Sequence, residues 1–140
     1  MAASSAIPGV WTPRILSVLR IVAGFLFMTH GSAKILHFPD VHNLDHLQVF
    51  SLIGVAGLLE LIGGTLVMIG FFTRPAAFVL SGEMAFAYFI AHAPRDFLPL
   101  LNHGESAVLY CFLFLYLAFA GPGPWSVDAL RRGVRKASQT

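Results

Sequence analysis

Residues 49–70 read VFSLIGVAGLLELIGGTLVMIG. The run is apolar over a length that crosses the hydrocarbon layer of a bilayer, which takes ~20 helical residues. It carries one ionisable side chain, Glu60, near its centre. Inserting such a group costs about 2.5–3.5 kcal/mol on insertion scales, so it is expected to face a bundle interior and to need a partner. Gly57, Glu60, Gly64 and Met68 share one line of this helix, with the two glycines two turns apart. Glycine at that spacing lets a second helix approach closely.

Three further apolar segments follow the same plan: Ile15 to Ala33, Pro75 to Ala93 and Ser106 to Ala120, with Arg20, Glu83 and Glu105 in them or at their edge. The last is short. Reading Asn102-His103-Gly104-Glu105 as a helix cap with a carboxylate three residues later starts that helix at Asn102 and lengthens it to a full span. At 56% hydrophobic and 11% charged residues, the 140-residue chain is too apolar for a soluble domain of this length. The expected fold class is an all-α integral membrane protein, a four-transmembrane-helix bundle with a short amphipathic C-terminal helix. Residues 1–13 are read as a cytoplasmic lead-in, 14–121 as the membrane domain and 122–140 as a basic cytoplasmic tail. The N-terminus lacks the positive start and small-residue cleavage site of a signal peptide, so the first segment is expected to be retained. Within the tail, Ser126 to Lys136 reads as a capped helix that offers Val127, Leu130 and Val134 to the bilayer surface.

Four spans put both termini on one side. Arg14, Arg74, Arg131, Arg132, Arg135 and Lys136 fall there, against Lys34 and Arg95 on the other side, where Asp40, Asp45 and Asp96 accompany them. The positive-inside rule then places both termini in the cytoplasm, in the cell (inner) membrane. The net charge of +2 is thereby assigned to membrane orientation, with no nucleic-acid partner. His30, His37, His42, His46, His92 and His103 all collect at the opposite, outer end. Imidazoles there serve as solvated or headgroup-level side chains, or as a proton relay, a metal site or quinone-headgroup contacts. His42 and His46 have helical spacing, but no tight metal-ligand motif is present and no metal is assigned.

Helical geometry predicts which faces turn inward. Arg20, Gly24, Phe27, Gly31 and Lys34 lie within about 40° of one line. Glu105, Leu109, Phe112 and Tyr116 align on the fourth segment. Depth along each helix pairs Arg20 with Glu83 or Glu60, and Lys34 with Glu105. The third segment conflicts with itself: Glu83, Ala87 and Ile90 form one face, and Ser81, Ala85, Tyr88 and His92 another about 180° away. His92 at the membrane interface level is the expected resolution, ahead of a subunit contact or a local bulge. The buried polar candidates are Arg20, His30, Lys34, Glu60, Glu83, His92 and Glu105, and the candidate ligand-facing groups are Tyr88, Tyr110 and His103. Charge pairing that sets helix register without chemistry explains Glu60 and Glu83 equally well. Cys111 has no partner for an intrachain disulfide and reads as a small buried hydrophobe.

The chain resembles the DoxX family of membrane proteins from Arg20 to Asp128. The resemblance is carried by Arg20 with Gly24, His30-Gly31 with Lys34, Glu60-Leu61-Ile62-Gly63-Gly64, Gly70 followed by Thr73-Arg74, Met84 with His92, Asn102-His103-Gly104-Glu105, and Gly121-Pro122-Gly123-Pro124-Trp125-Ser126-Val127-Asp128. His103 departs from the family pattern, which is closer to Asn-Gly-Gly-Glu. The resemblance implies the membrane fold more sharply than a reaction, since some members are similar to membrane subunits of quinone-linked sulfur oxidoreductases and many have no assigned reaction. Three functions stay open: a redox-associated, quinone-linked subunit of a membrane oxidoreductase, a non-catalytic anchor or assembly subunit, and a small-molecule or proton permeation unit. The implied partners are the lipid bilayer, redox enzyme subunits and a second copy of the chain in a homo-oligomer; the catalytic residues stay unassigned.

Overall fold

The computed structural model describes residues 9–40 and 50–138, which are helical or loop with no strand among them. His42 and His46 lie outside the described residues. Helix α1 runs from Trp11 to Ile35. Helix α2, Leu52–Ile69, starts on Ser51, whose hydroxyl accepts from the Gly54 amide at 3.1 Å, and stops at Gly70 with φ +73°. That left-handed conformation is open to glycine at little cost. Helix α3, Thr73–Ala87, passes without a break into a π turn, Tyr88–His92. A short α4, Pro99–Asn102, precedes α5, Glu105–Ala120, and α6 covers Val127–Ala137 behind a Ser126 cap.

By length and apolarity α1 and α2 suffice to cross a membrane. The 16-residue α5 is apolar but shorter than the ~20 residues a span needs.

Glycine decides how the first two helices meet. A Cβ on Gly24 would overlap the backbone of Met68 and Gly64, and one on Gly31 would overlap that of Leu61 and Gly57. The contact positions rise along α1 as they fall along α2, so the pair is antiparallel and packed backbone to backbone. Helices α3 and α5 form the second close pair, tied where the Ser81 hydroxyl donates to the Cys111 carbonyl at 2.8 Å. The pairs share a core of Phe27, Val67, Leu80, Phe114 and Leu117, with the Phe27 and Phe114 rings edge to face at 4.8 Å.

Three sequence expectations are overturned. Asn102 ends a helical turn; the next residue, His103, takes φ +58°, and α5 begins afresh at Glu105 behind Gly104. On α5 the buried residues are Ala107, Phe114 and Leu117, whereas Glu105, Leu109, Phe112 and Tyr116 are exposed. A helix apolar on every side has no periodicity to orient it. On the third segment the conflict of faces is resolved by the π turn, closed by the Ala93 amide donating to the Tyr88 carbonyl five residues back at 2.9 Å. One extra residue in the turn rotates the rest of the helix about its axis, so Tyr88 and His92 come to the same interior as Ser81 and Met84.

Candidate functional site

Two polar centres sit at opposite ends of the bundle. At one end Arg20, fully buried, finds no carboxylate partner among the described residues. Its Nε donates to the Pro122 carbonyl at 2.8 Å, Nη1 to those of Val67, at 2.6 Å, and Met68, and Nη2 to that of Trp125. Val67 and Met68 belong to the last turn of α2, where carbonyls lack intrahelical donors. The guanidinium therefore caps α2 and clamps the loop after α5. The expected pairing of Arg20 with Glu60 or Glu83 is wrong, because the planar fork of donors found a set of convergent carbonyls first.

The rest of this end closes around the same loop. Ser17 accepts from the Trp125 amide at 3.2 Å, and the Ser126 hydroxyl donates to the Gly123 carbonyl at 2.9 Å. Asp128 accepts from the Phe72 and Thr73 amides at 3.1 and 3.0 Å, which caps the start of α3. Its own amide donates to the Gly70 carbonyl at 2.9 Å. Sequence reading gave Ser17 and Asp128 no role of their own because their partners are 108 and 55 or 56 residues away.

At the other end the seam between the helix pairs opens into a cavity of about 590 Å³. Lys34 and Glu60 stand in its wall as an ion pair, Nζ to Oε1 at 2.6 Å. This replaces the expected Lys34–Glu105 pair, since Glu105 is exposed and outside the cavity lining. The second oxygen of Glu60 is buried without a hydrogen-bond partner, and so are both oxygens of Glu83. Glu83 lines the same cavity and is near enough to feel the charges of Glu60 and Lys34. Two carboxylates thus share one ammonium.

His30, His92 and Tyr110 complete the polar wall. His30 is exposed rather than buried, with Nδ1 against the Leu26 carbonyl at 2.9 Å. His92 places Nδ1 3.0 Å from the Asn102 carbonyl. A carbonyl accepts only, so in each neutral ring Nδ1 carries the proton and Nε2 is left as an acceptor. Tyr110 packs between Phe27, at 5.3 Å between ring centres, and Phe114, at 5.7 Å.

Tyr88 and His103 fall outside the cavity lining. The Tyr88 hydroxyl donates to the Phe97 carbonyl, and His103 is an exposed turn residue. Asn102 has a larger part than a cap. Its amide donates to the Asp96 carbonyl at 2.6 Å, and its side-chain oxygen accepts from the Gly104 amide at 2.7 Å. Through its backbone contact with His92 it also locks the π turn to the start of α5. No cluster suited to a metal ion occurs among the described residues.

Residues 15–93 match the DoxX family model. The chain belongs to the DoxX family. An uncharacterized protein of Haemophilus influenzae is 43% identical over 122 residues, spanning 84% of this chain and 91% of that one. Inner membrane protein YqjF of Escherichia coli is 30% identical over 128 residues, 81% of this chain and 88% of the relative. An uncharacterized membrane protein of Mycobacterium tuberculosis is 28% identical over 132 residues, 83% and 80% of the two chains. No solved structure matches. This DoxX chain is accordingly a membrane protein, and the residues that carried the family resemblance divide between its two ends. Arg20, Gly70, Thr73 and the 121–128 loop build the clasp, while His30, Lys34, Glu60, Met84 and His92 line the cavity.

Proposed function

We propose that this DoxX protein spans the cell (inner) membrane four times with both termini cytoplasmic, and that it is a redox-associated, quinone-linked membrane subunit. The unbroken helix from Thr73 to His92 and the apolar α5 supply the third and fourth crossings in this reading. One observation carries the functional part: a largely apolar cavity of about 590 Å³ holds two carboxylates and one ammonium. Cavities that take small-molecule ligands run to roughly 300–1,000 Å³, apolar with a few placed polar groups.

The residues fit a quinone-class ligand. Apolar side chains such as Leu59, Phe86 and Ile90 suit a ring and isoprenoid tail. Glu60 and Glu83 would hold and release protons, Lys34 fixes one oxygen of Glu60, and His30 and His92 offer Nε2 acceptors. A quinone, when bound, supplies a two-electron, two-proton couple. The wall is rich in acceptors, so it suits a ligand that brings hydroxyl donors, the reduced form of that couple.

The test uses Glu60→Gln and Glu83→Gln, which keep volume and remove the titrating group. At least one is expected to lose quinone-dependent electron transfer in membranes at unchanged protein abundance. Retention of activity by both, or loss only in proportion to abundance, favours the second reading, a non-catalytic anchor or assembly subunit. That reading draws on the Arg20 clasp, where the family residues bind only backbone. For the orientation, a cysteine at Asp40 is expected to react with an impermeant reagent in intact cells; labelling only after lysis reverses the topology.

A further inference from the structure

At the Arg20 end a second cavity, of about 780 Å³, lies between α6 and the start of α3, and we propose that it binds the phosphate headgroup of an anionic membrane lipid. Arg74, Arg131, Arg132 and Arg135 line it, together with Leu130 and Val134. Asp128 is the carboxylate in the lining, and both its oxygens already accept from the Phe72 and Thr73 amides. The ion pair among the described residues is Lys34–Glu60, at the other end, so the groove's guanidiniums are unneutralised by carboxylate. A phosphate diester is the anion a guanidinium fork matches, through paired N–H donors.

The arrangement on α6 selects a lipid over a free phosphate. Arg131 and Arg135 are one turn apart, and so are Leu130 and Val134, each 71% exposed. Two parallel rows, one basic and one apolar, therefore run along the groove. A soluble anion uses only the first; a lipid places its headgroup on the basic row and its acyl chains against the apolar one. The groove is also built in advance of any ligand. The Asp128 contacts pin the first turn of α6 to the membrane helices, and the Arg131 guanidinium lies over the Phe71 and Phe72 rings at 5.2 and 5.7 Å. Aromatic rings at a helix end are typical of headgroup depth. This end is separate from the Glu60/Glu83 cavity, and the inference rests on the membrane location alone.

The purified full-length protein in a neutral detergent is titrated with mixed micelles of phosphatidylglycerol, with micelles of phosphatidylcholine, and separately with inorganic phosphate. Wild type is expected to bind the phosphatidylglycerol micelles roughly tenfold more tightly than the neutral ones, with a preference that fades in salt. R131Q/R135Q is expected to remove that preference, and L130S/V134S to weaken phosphatidylglycerol binding. Helix content and thermal unfolding check that each variant folds, and Arg74→Gln, on a different helix, tests the same site should the α6 variants unfold. The proposal is overturned if R131Q/R135Q or, where that variant is unfolded, Arg74→Gln keeps the wild-type preference. It is overturned equally if inorganic phosphate at matched concentration displaces the lipid, since the site is then one for free anions.

Discussion

The two polar centres of this protein solve the problem of charge inside an apolar bundle in opposite ways. Arg20 is fully buried and spends its donors on four backbone carbonyls contributed by α2 and by the loop after α5. Glu60 and Glu83 share one ammonium and leave three buried oxygens without a partner. A saturated centre stiffens the fold and has nothing left to offer a ligand. An unsaturated one is costly to bury and stays available. The contrast separates architecture from site more clearly than burial does, because Arg20 and Glu60 are nearly equally hidden.

The largest effect is expected at the saturated end. Arg20→Leu strands the carbonyls of Val67, Pro122 and Trp125, and at ~1–3 kcal/mol for each unsatisfied buried group the loss is expected to reach at least ~3 kcal/mol. Thermal unfolding in detergent reads it, and unchanged stability would break the comparison at its strongest point. Arg20→Lys is expected to rescue little, since an ammonium lacks the planar fork.

Next comes Lys34→Met, which removes the partner of Glu60 and keeps the aliphatic stem. The expected loss is ~1–3 kcal/mol, smaller because Lys34 is partly exposed. Combining it with Glu60→Gln should recover most of that loss. If the double variant is as unstable as the single one, the pair is not what holds this wall.

Asp128→Ala removes the cap of α3 and is expected to cost about 0.5–2 kcal/mol by the same measurement. The same change also frees α6 from the Phe72 and Thr73 amides. Faster hydrogen exchange confined to α6 and the first turn of α3 would sharpen the picture of a clasp; uniform change across the chain would argue against it.

The smallest effect, and the most telling in sign, belongs to Glu83→Gln. Its carboxylate oxygens have no partner to lose, so the substitution is expected to leave stability unchanged or to raise it by up to ~1 kcal/mol. A loss comparable to that of Lys34→Met would mean that Glu83 is held by an interaction in the folded bundle and is not an open group.

Much of the membrane architecture was legible from local pattern. The stripes Arg20-Gly24-Phe27-Gly31 and Gly57-Glu60-Gly64 are buried as helical spacing predicts, and the two glycine sets do meet. Ser126 does cap the last helix. Partners were not legible. Arg20 was expected to meet an acid because sequence shows charges readily and convergent carbonyls not at all. Glu105 was placed inside by a count along an apolar helix that had no face to count from. The third segment was read as two incompatible faces, which was a true signal of the π turn, but the resolution preferred from sequence was the wrong one.

By itself, the sequence determined what depends on residue type and short spacing: apolar runs long enough for a bilayer, glycines one or two turns apart, ionisable groups that must turn inward, and a basic C-terminal helix. Tertiary structure decided what depends on groups that converge from distant segments. It chose backbone carbonyls for Arg20, Glu60 for Lys34, and the amides of α3 for Asp128. It also left Glu83 in the cavity without a hydrogen-bond partner. The physical reason is that hydrogen-bond partnership is set over a few ångströms in space, whereas helical periodicity reports only the direction in which a side chain leaves its own helix.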